Sequence, residues 1–250
     1  MGHGCAGVES GFRYRRGGVG VTLKLLSAGA VKGGVTQIAE EFGRAHHQMV
    51  SCEFTQAPKL RQRLTAGEVV DVVVATQGAM NDLAAQGKIV AGTRGVVGRS
   101  RVGVVVHMDA PAPDVSDTEA FKHAVLAATC VVHNDASSGV YIAELLDKLG
   151  LKVQLGSRIV VVSSGSAIMS TVAKHGPGAI GMGQISEIRV MIAKGCAVKL
   201  AAPLPDAIQN VSTYHAAAMA ASGDPDAAAA LAHALTSDAA KPVFAATGID

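Results

Sequence analysis

The residues best suited to chemistry lie in 131-VVHNDASSGVYIAELLDKLG-150, where an apolar strand ends in a polar turn and a helix follows. Ser137, Ser138 and Gly139 stand at the start of that helix. The first backbone N–H groups of a helix lack intrahelical partners and carry partial positive charge, so they bind an oxyanion without Lys or Arg. The serines add hydroxyl donors, and Gly139 lets a ligand approach the backbone. The turn therefore predicts an anion site, with an ordinary serine N-cap as the alternative.

The same order of strand, polar turn and helix occurs twice more. The segment 23-LKLLSAGAVKGGVTQIAEEF-42 carries Ser27 and Gly29 in its turn, and 159-IVVVSSGSAIMSTVAKHG-176 carries Ser164. Ligands of open α/β sheets bind just outside the carboxyl ends of the strands, so these turns are predicted to face one crevice. No GxxxxGK[ST] motif occurs and no GxGxxG motif follows a strand, which argues against nucleotide binding.

The elements that must position these turns alternate between strand and helix. The apolar patterns predict strands at 22–27, 49–55, 70–76, 102–107, 129–134, 158–162, 178–183 and 210–220, and helices at 30–45, 58–67, 78–87, 140–149 and 224–235. Such alternation is typical of α/β folds with parallel strands and right-handed crossovers.

The chain is predicted to pass twice between two sheet systems, near residues 102–107 and 203–205. This predicts a first lobe from residues 21–101 with 206–250 and a second lobe from 102–205. Hinged lobes of this kind close on a small ligand in the cleft between them. Residues 1–20 are predicted to be a disordered lead-in.

The amino-acid composition limits the kinds of partner and cofactor that are expected. Hydrophobic residues make up 49% of the chain and no uninterrupted apolar run reaches membrane-spanning length, so a buried core is expected and a membrane span is not. A net charge of +2 with dispersed Lys and Arg predicts no nucleic-acid partner. The four cysteines lack CxxC spacing and the nine histidines are scattered, so neither a metal site nor a cofactor is predicted.

The first 20 residues lack the apolar run of a secretory signal peptide. As written, the chain is therefore expected to be cytoplasmic. A true start that differs from this one would make it periplasmic.

Several segments resemble the molybdate-binding-protein-like branch of the type II periplasmic solute-binding fold. The resemblance covers residues 21–250 and rests on the opening strand with its Ser-Gly turn and on 68-EVVDVVVAT-76, 138-SGVYIAELLDKLG-150, 179-AIGMGQISEI-188 and 237-SDAAKPVFAATGI-249. It implies a two-lobed α/β protein with two mixed, mostly parallel sheets, a hinge and an interlobe cleft.

Within that branch the chain is similar to the subgroup that includes aconitate isomerase. The segments 91-AGTRGVVGRSRVGVVV-106, 111-PAPDVS-116 and Gln184-Ile185-Ser186-Glu187 carry this likeness. The serines and the tyrosine with which molybdate binders hold their oxyanion correspond here to Ala30, to Gln56 or Ala57, and to Met182. A dianion that has lost its water needs a hydrogen-bond donor in place of each one that is missing. Molybdate is therefore not expected to bind here, and the expected ligand is an organic di- or tricarboxylate.

The predicted cleft residues offer backbone, hydroxyl, amide or ammonium donors for such a ligand. They are Ser27, Gly29, Gln56, Lys59, Thr76, Gln77, Ser137, Ser138, Gly139, Ser164 and Gln184. Lys59 is interpreted as a carboxylate clamp, with a solvated helix residue as the alternative.

The resemblance implies an isomerase that shifts a proton across an allylic carboxylate. This reaction needs a group that takes and returns a proton near neutral pH, and donors that stabilise the enolate-like charge. His133, beside the Ser137 turn, is the predicted catalytic residue, and a histidine that only caps its strand is the alternative. The alternative function has no chemistry: the chain is then the binding component of an ABC transporter, with a permease as partner, or a cytosolic ligand sensor.

Overall fold

A computed structural model describes residues 22–250, so the predicted lead-in at 1–20 lies outside the described residues. The strands in this part of the chain are β1 (Leu23–Ala28), β2 (Val50–Thr55), β3 (Val72–Thr76), β4 (Gly95–His107), β5 (Cys130–Asn134), β6 (Ile159–Val162), β7 (Ala179–Gln184), β8 (Val198–Pro203) and β9 (Val211–Ala218). Its α-helices are α1 (Lys32–His46), α2 (Ala57–Thr65), α3 (Gln77–Ala85), α4 (Thr118–Ala127), α5 (Ser137–Lys148), α6 (Leu151–Leu155), α7 (Gly165–His175), α8 (Ile185–Ala193), α9 (Pro225–Thr236) and α10 (Ala240–Ala246).

Strand β4 is shared by two lobes. Its residues 95–101 pair with β9, and the strands continue outward as β3, β1 and β2 to form lobe 1. Its residues 102–107 pair with β7 and β8, and β7 is followed by β5 and β6 to form lobe 2. The outer pairs are parallel, whereas every pair that involves β4 or β9 is antiparallel. This mixed, two-lobed α/β architecture confirms the predicted fold class.

Each lobe has a core of its own, because its helices cover both faces of its strands. In lobe 1, Val72 of β3 packs in one cluster with Phe42 of α1 and Phe244 of α10. In lobe 2, Val131 of β5 packs with Phe121 of α4 and with α5. All five of these side chains are less than a tenth exposed or wholly buried, and burial of each aliphatic or aromatic side chain contributes about 1.5–3 kcal/mol.

The side chain of Gln209 holds the two chain crossings together. Its Oε1 accepts a hydrogen bond from the Val102 backbone N–H at 2.9 Å, and its Nε2 donates to the carbonyls of Val102 and Leu204 at 3.1 Å and 2.9 Å. Val102 belongs to the first crossing and Leu204 to the second. The lobe boundaries predicted from the sequence lie beside these contacts, and independent motion of the lobes stays a prediction.

The strand predicted at 102–107 is only the second half of β4, which begins at Gly95. The first half contains exposed Arg99, which interrupts the apolar pattern. Tertiary pairing extends the strand: beyond the ladder with β9, the backbone N–H of Arg99 donates to the Asp250 carbonyl at 2.7 Å and Asp250 returns a bond at 2.9 Å. The helix start predicted at Asp224 and Pro225 is confirmed, since the Asp224 carboxylate accepts from the backbone N–H of Ala227.

Candidate functional site

A cavity of about 310 Å³ lies where lobe 1 meets lobe 2. Its wall comes from the ends of strands in both lobes and the helices that follow them. The lining residues are Ala28, Gly29, Ala30, Lys32, Phe54, Thr55, Gln56, Ala57, Asn134, Ala136, Ser137, Ser138, Ser164, Gly165, Ser166, Gln184, Ser186, Glu187, Val190, Met191, Lys194 and Tyr214.

Five helix starts form most of this wall. They are the 3-10 turn at Gly29–Val31 and the first residues of α2, α5, α7 and α8. Each start follows the carboxyl end of a strand, which is where open α/β sheets bind ligands. Helix starts present unpaired N–H groups and partial positive charge, so their convergence favours an anion.

The start of α5 contributes two serines to the wall. The N-cap residue is Ala136, and no side chain accepts a hydrogen bond from the first turn. Ser137 and Ser138 are the first two helical residues and both line the cavity. The ordinary serine N-cap is therefore wrong for this helix, because neither serine occupies the capping position.

Two buried amide side chains line the cavity with unpaired oxygens. Asn134 is 2% exposed and Gln184 is 3% exposed. Asn134 Oδ1 and Gln184 Oε1 have no hydrogen-bond partner among residues 22–250. Buried polar atoms are nearly always paired. A side-chain amide offers an acceptor at one end and two donors at the other, so both residues have free capacity for a ligand.

Glu187 places a carboxyl group in the same cavity. It is the third residue of α8, a position from which Glu often bonds back to the N-cap backbone N–H. Within the described part of the chain, the Glu187 carboxyl makes no hydrogen bond or ion pair. Burial raises the pKa of Glu187 from 4.5 to about 7. The cause is desolvation, which disfavours the charged form of a carboxyl group.

The other titratable side chains that line the cavity are Lys32, Lys194 and Tyr214. Both ammonium groups belong to exposed residues, and Lys32 Nζ lies 5.1 Å from the centroid of the Phe54 ring. Tyr214 is buried, and its pKa is raised first by burial and then by the charge of Glu187. Residues 22–250 contain no group of three His, Cys, Asp or Glu side chains that could hold a metal ion.

Six of the predicted ligand-binding residues line the cavity, namely Gly29, Gln56, Ser137, Ser138, Ser164 and Gln184. Gln56 also bridges the lobes, because its Nε2 donates a short hydrogen bond to the backbone carbonyl of Ser163. Ser164 is the N-cap of α7, and its Oγ accepts from the Ala167 backbone N–H at 3.2 Å. Its hydroxyl is therefore partly used by the helix itself.

Five predicted ligand-binding residues do not line the cavity. Ser27 is wholly buried, and its hydroxyl donates to the Ala28 carbonyl at 3.0 Å. Lys59 is exposed on α2, which supports the solvated-residue alternative. Thr76 and Gln77 lie at the junction of β3 and α3, away from the wall. Gly139 packs against β5, where an added Cβ would overlap the carbonyl oxygen of Asn134.

His133 also lies outside the cavity wall. The residue is 4% exposed, and its Nδ1 lies 2.9 Å from the backbone carbonyl oxygen of Asn134. This placement supports the alternative in which His133 closes the end of its strand, and it gives no support to a catalytic role.

Several residues of the wall were not predicted from the sequence, among them Lys32, Asn134, Glu187, Lys194 and Tyr214. Asn134 could have been predicted from its position, since it is the last residue of a strand and lies just before the Ser-Ser-Gly turn. Glu187 stands three residues after Gln184 in QISE, a spacing that is typical of ordinary helix capping. Nothing in the sequence places Tyr214 or Lys194 opposite the other lobe.

The family model of bacterial extracellular solute-binding proteins matches residues 23–250. The chain belongs to this family. An aconitate isomerase from Pseudomonas sp is 28% identical to this solute-binding protein over 233 residues, which cover 89% of this chain and 85% of the relative. The predicted resemblance to the family is thereby confirmed.

Solved structures share the fold of this solute-binding protein. The periplasmic molybdate-binding protein of Azotobacter vinelandii superimposes with a TM-score of 0.72 at 18% identity, covering 91% of this chain and 98% of that one. A tungstate ABC transporter structure from Geobacter sulfurreducens gives a TM-score of 0.70 at 14% identity, over 90% and 98% of the two chains. Within residues 22–250, every helix is too short or too polar to cross a membrane.

Proposed function

We propose that this solute-binding protein is an isomerase of a small unsaturated di- or tricarboxylate. The observation that carries the proposal is the cavity itself, which combines five helix starts with the buried amide side chains of Asn134 and Gln184 in about 310 Å³. That volume is within the range of sites for small organic molecules. The isomerase among the relatives, at 28% identity, supports chemistry at this site.

The wall favours an organic carboxylate over a compact metal oxyanion. The resemblance expects serine donors at Ala30 and at either Gln56 or Ala57, all of which line the cavity, and an alanine methyl group donates nothing. The donors that remain are spread around the cavity, at the start of α5, on Asn134 and on Gln184. A ligand with two or three separate carboxylates fits such spacing, because each carboxylate has its own donors.

The proposed reaction is an allylic proton shift. A C–H bond beside a carboxylate breaks, the electron pair moves across the double bond, and the proton returns to the far carbon. Negative charge builds up on the adjoining carboxylate during the shift. The backbone N–H groups and hydroxyls of Ser137 and Ser138 stabilise that charge, because they are fixed in place before the reaction.

A second candidate function is the binding component of an ABC transporter, without catalysis. The match of residues 23–250 to a family of extracellular solute-binding proteins favours it. In this case the same cavity holds an organic anion, and a permease is the partner.

Proton NMR in deuterated water separates the two functions. The protein is incubated with cis-aconitate, trans-aconitate and related unsaturated acids, and calorimetry measures binding of each acid in parallel. The proposal predicts interconversion of isomers and solvent deuterium in the methylene group. Tight binding of these acids with no exchange would instead identify a binding protein.

A further inference from the structure

We propose that Glu187 is the residue that removes the substrate proton and returns it, an inference that rests on the isomerase function proposed above. Its carboxyl group lies in the cavity wall at the meeting point of the two lobes. Neither the predicted His133 nor any other carboxyl among the described residues lines this cavity.

The chain leaves room for this carboxyl on both sides. A Cβ added to Gly29 of lobe 1 would lie 3.7 Å from Glu187 Oε1, an ordinary contact. A Cβ added to Gly165 of lobe 2 would overlap the carboxyl group. The absence of a side chain at Gly165 is therefore required for Glu187 to keep its position between the start of α7 and the 3-10 turn.

The surroundings suit Glu187 for proton transfer. With no hydrogen bond or ion pair inside residues 22–250, its oxygens remain available to a substrate. Burial raises its pKa to about 7, so both protonation states are populated at neutral pH. A group that titrates near the working pH can take a proton in one step and return it in the next.

The neighbouring titratable groups fit other roles. The pKa of Tyr214 is raised by burial and by the charge of Glu187, so the phenol stays protonated and serves as a hydrogen-bond donor. Lys32 and Lys194 are exposed cations on the cavity wall, and they offset the charge of an anionic substrate. Glu187 is left as the base.

The proton shift requires no oxidant or reductant. The Glu187 carboxylate takes a proton from the substrate methylene carbon, and that C–H electron pair becomes the new double bond. The electrons of the old double bond move onto the far carbon, which is stabilised as an enolate by its carboxylate. Glu187 then gives its proton to that far carbon, so the substrate is isomerised and the residue is again ionised.

Glu187→Gln tests the assignment, because glutamine keeps the shape and removes the titration. We expect kcat for cis- and trans-aconitate to fall by about 10²- to 10⁴-fold, the range for loss of a general base. The Kd of trans-aconitate should stay unchanged or become lower, since a negative charge is lost from an anion site. Glu187→Asp should retain part of the activity, because it keeps a carboxyl group one methylene shorter.

The pH profile adds a readout that a structural role would not produce. In the parent protein kcat should rise with pH and level off, because the base must be ionised to take the proton. The bound anion disfavours ionisation of Glu187, so the inflection should lie above 7. Glu187→Gln should show no such inflection, and Glu144→Gln, a change at an exposed position on α5, should match the parent.

The outcomes separate the two proposals. A folded Glu187→Gln protein that keeps the parent kcat and pH profile would overturn the assignment of Glu187 and leave the isomerase function standing. If Glu187→Gln does not fold, two other results together would overturn the assignment of Glu187. They are a Glu187→Asp variant with the same kcat as the parent protein, and a parent protein whose pH profile shows no inflection. A parent protein that binds aconitate without exchanging its protons would overturn the isomerase function, and this inference with it.

Discussion

The burial of Glu187 predicts that the ligand-free protein becomes less stable as pH rises from about 4.5 to 7. The pKa of this carboxyl is raised from 4.5 to about 7 in the folded protein. Between these values the unfolded chain has released the proton and the folded chain still holds it, so unfolding becomes easier with increasing pH. Above pH 7 both states are ionised and the loss is complete. The difference in pKa corresponds to at most about 3 kcal/mol.

Glu187→Gln removes this loss, because the amide is neutral at every pH in the range. Relative to the parent protein, the variant should gain up to about 3 kcal/mol in free energy of unfolding between pH 4.5 and pH 8. Urea unfolding of both proteins at pH 4.5, 6, 7 and 8 measures it, in buffers without carboxylate ions that could occupy the cavity. The matched control is Glu144→Gln, at an exposed position, whose effect should stay within about 0.5 kcal/mol.

A stability difference between Glu187→Gln and the parent that does not change with pH would refute the reasoning. So would a parent protein that is more stable than the variant throughout pH 4.5 to 8, since a carboxylate with a cationic partner has a lowered pKa and is already ionised across this range. In either case Glu187 would be ionised in the free protein throughout this pH range. Its suitability as a base at neutral pH would then be lost.

Three further changes test the site. Gly139→Ala should destabilise the fold by about 1–3 kcal/mol, because the added Cβ would push α5 away from the Asn134 carbonyl. Urea unfolding measures this loss, and an unchanged unfolding midpoint would contradict the packing. Ser138→Ala should raise the Kd of trans-aconitate about tenfold, because one hydrogen bond to a charged group is lost. Calorimetry measures the Kd, and an affinity equal to that of the parent protein would place the carboxylate elsewhere. Aconitate at about 100 times its Kd should stabilise the parent protein by about 2.7 kcal/mol and raise its Tm, whereas millimolar molybdate should leave the Tm unchanged. A Tm raised by molybdate and not by aconitate would support binding of a metal oxyanion.

The alternation of strands and helices was predictable because each element is set by local apolar periodicity and turn residues. The turns after β1, β5 and β6 were also correctly expected at one crevice, as residues beside all three line the cavity. This success follows from the rule for the carboxyl ends of strands, which needs only the order of elements. The first half of β4 was missed because its pairing with β9 and with the chain end is a long-range feature.

Which side chains face the cleft was less predictable. Ser27 and His133 lie at or beside the ends of strands that border the cavity, yet each hydrogen-bonds the carbonyl of the next residue and neither lines the cavity. Glu187 resembled an ordinary helix-capping residue, and only the approach of Gly29 and Gly165 from two lobes shows its place. The face of a strand and the residues opposite it are fixed by tertiary packing, about which a single segment carries no information.

The most direct test of the account is a crystal structure of Glu187→Gln with trans-aconitate, since that variant should bind the substrate and not consume it. We expect a substrate carboxylate about 3 Å from the backbone N–H groups of Ser137 and Ser138. The methylene carbon should lie about 3–3.5 Å from the side chain at position 187, the distance at which a proton can be transferred. A substrate bound outside the interlobe cavity, or one whose methylene carbon faces away from position 187, would contradict it.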